Sequence, residues 1–372
     1  MNDKVATPQR LSGGEANQTS EVGTSFVARL QARLVGNAPV SRLLIILAAA
    51  LLLAIPSLTT GNFWIRVLVQ AGLGVMLALG LNVMVGFAGL LNLGYVGFYA
   101  IGAYTYALLA SPFHNIHLPF LLLFPLAGAL AGLVGALLAV PVLPLRGDYL
   151  AMVTLGFGEI IRLLINNLDP LTNGPMGIIS IDHPNILGYV LHTPRDYYYV
   201  ILILCAVEIL LMKRLQTSRI GRAWTAIRED EQAALVMGLN TTRLKLLACA
   251  VGAVPAGLAG VLYAAVQTFV SPKSFALVES IGVLSMVIIG GSGNVLGVVL
   301  GALLVNILPE PLRRYTESYR MAIYGALLTM FALFRSQGIW PSVYAVPQGI
   351  PDMQVRMPVG GRERTHENDS TG

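Results

Sequence analysis

Two glycine-rich stretches carry the residue types best suited to holding a small polar solute inside an apolar chain. Residues 80–109 read GLNVMVGFAGLLNLGYVGFYAIGAYTYALL, with glycines at 80, 86, 89, 94, 97 and 102 around Asn82 and Asn92. Such density either breaks a helix or lets helices pack closely through small residues. A break exposes backbone amides and carbonyls. In a bilayer it is tolerated only when buried in protein or lining a water-filled cavity. Free amides at a half-helix N-terminus would suit a carboxylate. Residues 289–301, IGGSGNVLGVVLG, form a second glycine-rich interruption between apolar runs. Paired interruptions of this kind point to a central site in transporters. The candidate pathway residues are Gly86, Gly89, Asn92, Gly94, Tyr95, Gly97, Glu159, Asn173, Gly290, Gly291 and Gly293.

Charged residues supply the remaining candidates. Glu159 and Arg162 are three apart and can pair on one helical face. An ionisable residue inside an apolar run defaults to a functional hypothesis, and a structural ion pair near the membrane interface is the competing reading. Glu208 is a lone acid near the end of another run. Residues 221–240, GRAWTAIREDEQAALVMGLN, are too charged to span a bilayer and too helical in propensity for a plain loop. A helix parallel to the membrane fits them, with Ala223, Ile227, Ala234 and Met237 as its apolar face. Such a helix suits docking into a groove of a soluble partner. His114 and His117 have no third ligand between their flanking prolines, so no metal site is expected. No Gly-x-x-x-x-Gly-Lys loop, His-Glu-x-x-His or Gly-x-Ser-x-Gly occurs, so phosphate-cradling, zinc-protease and serine-hydrolase chemistry have no support.

The elements that must position these groups follow from composition. Of 372 residues, 55% are hydrophobic and 12% charged, about half the charge of an ordinary soluble domain. That excludes a disordered chain, a disulfide scaffold and an ordinary soluble enzyme. A membrane helix needs about 20 apolar residues. Candidate runs fall at 43–58, 63–86, 95–110, 118–140, 149–168, 198–212, 243–266, 278–291, 294–308 and 320–335. The expected fold is all-α and polytopic, with about 8–10 transmembrane helices, and the two runs flanking Gly291 form either a broken pair or a re-entrant segment.

Residues 43–212 hold ten Asp, Glu, Lys or Arg side chains, and the far shorter stretch 213–245 holds ten more. Lys and Arg collect in cytoplasmic loops, so this stretch and both termini are expected on the cytoplasmic side. The net charge of +5 then reports topology and calls for no nucleic-acid partner. The linker 169–197, rich in Pro and Asp, falls on the opposite side. Residues 1–40 read as a polar tail without a signal-peptide pattern, in which Phe26, Leu30 and Leu34 mark either an interfacial helix or a disordered tail. Residues 41–338 form the transmembrane region, with its docking helix at about 221–238, and 339–372 a disordered tail. Cys205 and Cys249 read as buried thiols.

These segments, in this order, resemble the M-type permease subunit of bacterial ATP-binding cassette importers for branched-chain amino acids. The resemblance rests on residues 80–109, on LRGDYLAMVTLGFGEIIRLLINN (145–167), TNGPMGI (172–178) and 221–240, and on FVSPKSFALVESIGVLSMVIIGGSGN (269–294). The chain departs from the family pattern at Asn173, Met176 and Ser292. The resemblance implies a bacterial inner-membrane protein that pairs with a homologous H-type permease. Two ATPase subunits would carry ATP and Mg, a periplasmic binding protein would deliver substrate, and this chain would hold no cofactor. It also implies that Arg222, Ala223, Trp224, Arg228, Glu229, Asp230, Glu231 and Gly238 belong to a coupling helix that docks on an ATPase. Urea or short amides are the alternative cargo. An ion-coupled transporter using Glu159, Glu208 or Glu279, or a passive channel, is the alternative class. The tail sequence Leu11-Ser12-Gly13-Gly14-Glu15 matches an ATPase signature loop only by chance, since no phosphate loop accompanies it.

Overall fold

The computed structural model describes residues 61–310 except 114, 115, 143, 144, 146 and 187, together with 56, 325, 329 and 338–340. The expected runs at 43–58 and 320–335, and the tail expectations apart from residues 339 and 340, lie outside the described residues. The other eight runs are all helical. The architecture is all-α and polytopic, as expected, with only two-residue strands in its loops.

Helix α1 (Asn62–Asn82) continues as a π-helical turn, Val83–Phe87, and runs through the centre of the bundle. The chain then leaves helical geometry until α2 (Val96–Leu109). Helices α3 (Phe120–Val142) and α4 (Asp148–Asn167) follow, and a turn-rich segment opens with a single turn, α5 (Asp169–Thr172). Helix α6 (Pro194–Thr217) starts at a reciprocal cap in which Thr193 Oγ1 accepts from Asp196 N at 3.3 Å and Asp196 Oδ2 accepts from Thr193 N at 3.0 Å. Two short helices, α7 (Arg219–Glu229) and α8 (Glu231–Val236), precede the long α9 (Thr241–Gln267). Helices α10 (Leu277–Gly290) and α11 (Val295–Ile307) complete the described chain.

Three helical segments are long and apolar enough to cross a membrane: 62–87, 120–142 and 241–267. Helices α2, α10 and α11 are apolar but shorter. At 1.5 Å per residue, α10 and α11 extend only about 21 and 20 Å, against a hydrocarbon core of about 30 Å. They form an antiparallel hairpin, because Gly290 meets Gly297 and Gly301 meets Met286. The turn between them, residues 291–294, needs φ of 106° at Gly291 and 89° at Gly293, which explains two of its glycines.

Close packing centres on α9, whose small residues admit α1, α2 and α3. A Cβ at Gly102 of α2 would sit 2.0 Å from Gly257 O of α9, so the two backbones touch. Both readings of the first glycine stretch therefore hold, at different positions: Gly102 packs helices, while residues 88–95 break the helical path. The outward leucines of α3, such as Leu137 at 70% exposure, have no cover among the described residues and suit a lipid environment.

Candidate functional site: the 219–238 hairpin and the two breaks

Local chemistry divides the predicted docking helix. Ser218 Oγ accepts from Gly221 N at 3.1 Å and caps α7. Asp230 then adopts extended backbone, and its Oδ1 accepts from Gln232 N at 2.8 Å and Ala233 N at 3.0 Å. That cap ends α7 and starts α8, so the expected single helix at 221–238 is a helical hairpin. Gly238, with φ of 82°, closes it, and Asn240 caps α9 through Arg243 N. The expected apolar face also changes. Ile227 and Ala234 are buried, but Ala223 is partly exposed and Met237 is 82% exposed. Trp224, absent from that expectation, is the main anchor: it is 0% exposed and its Nε1 donates to Leu244 O at 2.7 Å. For Met237 the reason is the Asp230 cap, which reorients the second helix, so one 3.6-residue period does not run from Ile227 to Met237.

A second tie joins α8 to α9. Lys245 Nζ donates to Glu231 Oε1 at 2.5 Å, with the lysine side chain only 7% exposed. Removing one partner of such a buried pair costs about 3–5 kcal/mol. Outside these anchors the hairpin is open. Leu235, Val236 and Met237 are exposed, and Gln216, Arg222, Thr225, Ala226 and Glu229 line a surface pocket of about 180 Å³. The polar residues assigned to docking thus split: Arg222 and Glu229 face outward, while Trp224 and Glu231 hold the hairpin to the bundle.

The hairpin also reaches the first break. Leu90 N turns back to Met84 O at 2.8 Å instead of continuing the helix to Gly86 O. Arg228 Nη1 donates to Gly86 O at 2.5 Å. Gly89 has φ of 70°, and a Cβ there would lie 2.8 Å from Arg228 Cγ, so both backbone and space require glycine. The second break joins the same cluster. Asn82 Oδ1 accepts from Gly293 N at 2.8 Å, and Gln216 Nε2 donates to Gly293 O at 2.8 Å. A Cβ at Gly86 would stand 2.5 Å from Gly293 N. Gly86, Gly89, Gly293 and Arg228 are therefore one contiguous cluster, with Gly291 in the hairpin turn and the buried Gly290 at the end of α10 beside it.

The other pathway candidates lie further along α2 and α4. Asn92 is buried, its Oδ1 accepting from Gly94 N at 2.9 Å and its Nδ2 donating to Met84 Sδ at 3.4 Å. Gly94 packs on Thr154 and Gly158 of α4, and Gly97 lies against Phe157. Tyr95 is buried and its hydroxyl donates to Gly252 O at 2.9 Å. The start of α2 is not an open amide cradle. Leu93 N donates to Thr154 Oγ1 at 3.1 Å and Val96 N to Ser280 Oγ at 3.2 Å, while Gly97 N and Phe98 N serve Gly94 O and Tyr95 O. Glu159 and Arg162 do pair, with Nε to Oε2 at 2.9 Å, on a half-exposed face of α4. Asn173 stands apart, beyond the far end of α4, with φ of 58° and its Nδ2 donating to Gly177 O at 2.8 Å.

Sequence reasoning missed Gln216, Thr154, Ser280 and Lys245. Thr154 and Ser280 carried a signal, being hydroxyls inside apolar runs. Gln216 and Lys245 looked like ordinary members of a polar loop. Glu208 is buried at 7% exposure, and neither carboxylate oxygen has a hydrogen-bond partner. No group of three metal-binding side chains occurs among the described residues.

Comparison with known proteins places this geometry in a family. The family described as branched-chain amino acid transport system / permease component matches residues 63–332. The high-affinity branched-chain amino acid transport system permease protein LivM of Salmonella typhimurium is 43% identical over 268 residues, which cover 66% of this chain and 62% of that protein. The chain thus spans less than two thirds of that relative's length. The probable branched-chain amino acid transport permease protein LivM of Methanocaldococcus jannaschii is 27% identical, over 65% of this chain and 74% of its own. The permease protein LivH of Escherichia coli is 30% identical over 123 residues, 33% of this chain and 40% of its own. No solved structure matches. With the family match covering most of the chain and its breaks, the chain belongs to the branched-chain amino acid transport system permease component family.

Proposed function

We propose that this chain is a membrane-spanning subunit of an ATP-binding cassette importer that carries leucine, isoleucine and valine across the bacterial inner membrane by alternating access. It pairs with an H-type permease. Two ATPase subunits bind ATP and Mg, one of them docking on the hairpin at 219–238 of this chain, and a periplasmic binding protein delivers substrate to the opposite face. Both chain termini lie in the cytoplasm. The chain supplies the path and the mechanical link, while hydrolysis occurs on the partners. The observation that carries this reading is the direct bond from the docking hairpin to the first helix break, Arg228 to Gly86 O. The family supports the cargo, because relatives from Salmonella typhimurium, Escherichia coli and Methanocaldococcus jannaschii are named for branched-chain amino acid transport.

Coupling is a difference in binding free energy between inward- and outward-facing states. A soluble partner that moves the hairpin biases those states only through contacts that differ between them. The test is uptake of labelled leucine by cells lacking the gene for this chain, with and without its restoration, in competition with isoleucine, valine and urea. Restored uptake blocked by isoleucine and valine supports the reading. Competition by urea alone moves the cargo to short amides.

A further inference from the structure

We infer that Arg228 is a positioning residue that transmits movement of the docking hairpin into both glycine-rich breaks, and does not itself serve as a docking contact. This rests on the reading of the chain as an ATP-driven permease. The guanidinium bridges inward and outward groups: Nη1 donates to Gly86 O, Nη2 lies 3.7 Å from Glu229 Oε1 at the hairpin surface, and the side-chain stem lies against Gly89. Its position explains why a glycine with positive φ is needed at 89, since any larger residue would push the stem away.

The carbonyl it holds belongs to the π-helical turn at the end of α1, where Leu90 N has turned back to Met84 O. π-helical turns recur at functional sites. From Gly86 the contacts run on without a gap. Asn82, one turn earlier, accepts from Gly293 N in the turn of the α10–α11 hairpin. Gln216, at the end of α6 and beside the outward pocket, donates to Gly293 O. One arginine and two amides thus connect the docking surface, α1, α6 and the second break. A pull on the hairpin shifts the Gly86 carbonyl, and with it the Asn82–Gly293 bond. Trp224 and Lys245 behave differently: they fix the hairpin to α9 and reach neither break.

A bond from a charged donor to a carbonyl contributes about 1.5–3 kcal/mol, so its loss should weaken the linkage about tenfold or more. The experiment is hydrogen exchange on the complete complex in nanodiscs, without nucleotide and with a non-hydrolysable ATP analogue. It compares the parent, Arg228→Ala and Arg228→Lys. In the parent, nucleotide should change exchange in both 219–237 and 83–95. In Arg228→Ala, the change at 219–237 should persist while that at 83–95 falls about tenfold or more. Lysine, which keeps one donor on a long stem, should restore most of it. Leucine transported per ATP hydrolysed should fall in parallel. An Arg228→Ala variant that keeps the nucleotide-dependent change at 83–95, or loses it in both segments, overturns the proposal. Failure of the parent to transport leucine would instead count against the cargo, because the exchange comparison does not depend on it.

Discussion

Trp224→Ala should loosen the helical hairpin at 219–238 without unfolding the bundle. The indole is fully buried and its Nε1 is bonded to Leu244 O. Truncating a buried tryptophan to alanine costs about 3–5 kcal/mol, of which the lost hydrogen bond accounts for about 1 kcal/mol. The site lies between two short helices and the first turn of α9, so the cost should fall on local opening of residues 219–240. At about 1.4 kcal/mol per factor of ten, the opening equilibrium should rise by about two to three and a half orders of magnitude. Amide exchange measured by mass spectrometry on the purified complex reads this directly. Residues 221–237 should lose about a hundredfold or more in protection, while α10 and α11 stay within about threefold of the parent. Trp224→Phe, which keeps most of the volume but not the donor, should lose about tenfold. Equal loss across the bundle would show that Trp224 serves the core rather than the hairpin. Unchanged protection at 221–237 would refute the anchoring role outright.

Other substitutions probe different parts of the account. Glu229→Arg reverses charge at the rim of the outward pocket, so uptake should fall while the chain still reaches the membrane; full substrate-stimulated ATP turnover in nanodiscs would sink the docking assignment. Glu208→Met removes a buried carboxylate with no hydrogen-bond partner, and should stabilise the chain by about 1–3 kcal/mol, read as a higher unfolding midpoint in detergent. A lower midpoint, or lost uptake at unchanged stability, would assign Glu208 a functional partner. Gly102→Val should prevent accumulation of folded chain on size-exclusion chromatography, because its Cβ would meet Gly257 O at 2.0 Å. Gly156→Val, where the same atom meets nothing within 4 Å, should be tolerated.

Much of this architecture was legible in residue types alone. Eight apolar runs became helices because a continuous stretch of Leu, Val, Ala and Gly away from water satisfies its own backbone only that way. The glycine clusters at 86–94 and 290–293 marked real interruptions, since positive φ at Gly89, Gly291 and Gly293 excludes most side chains. The i,i+3 spacing of Glu159 and Arg162 was enough to foresee their pairing.

The misses share a cause. Asp230 reads as one more charge in a run until its carboxylate is seen capping Gln232 and Ala233, which splits the helix and frees Met237. Thr154 and Ser280 close the start of α2 from 61 and 184 residues away in the chain. Gln216 finds Gly293 at a separation of 77 residues. Such partners depend on tertiary placement, and no local pattern encodes them. The isolation of Glu208 is of the same kind: its position was plain, its lack of a partner was not.

The central claim is that ATP hydrolysis on partner subunits drives amino-acid movement through this chain. Labelled leucine uptake into proteoliposomes, measured with the complete complex and substrate-loaded binding protein, tests it most directly. The account predicts uptake that requires ATP on the docking-hairpin side and persists when ionophores collapse proton and sodium gradients. Uptake that proceeds without ATP and stops with the gradients would contradict it.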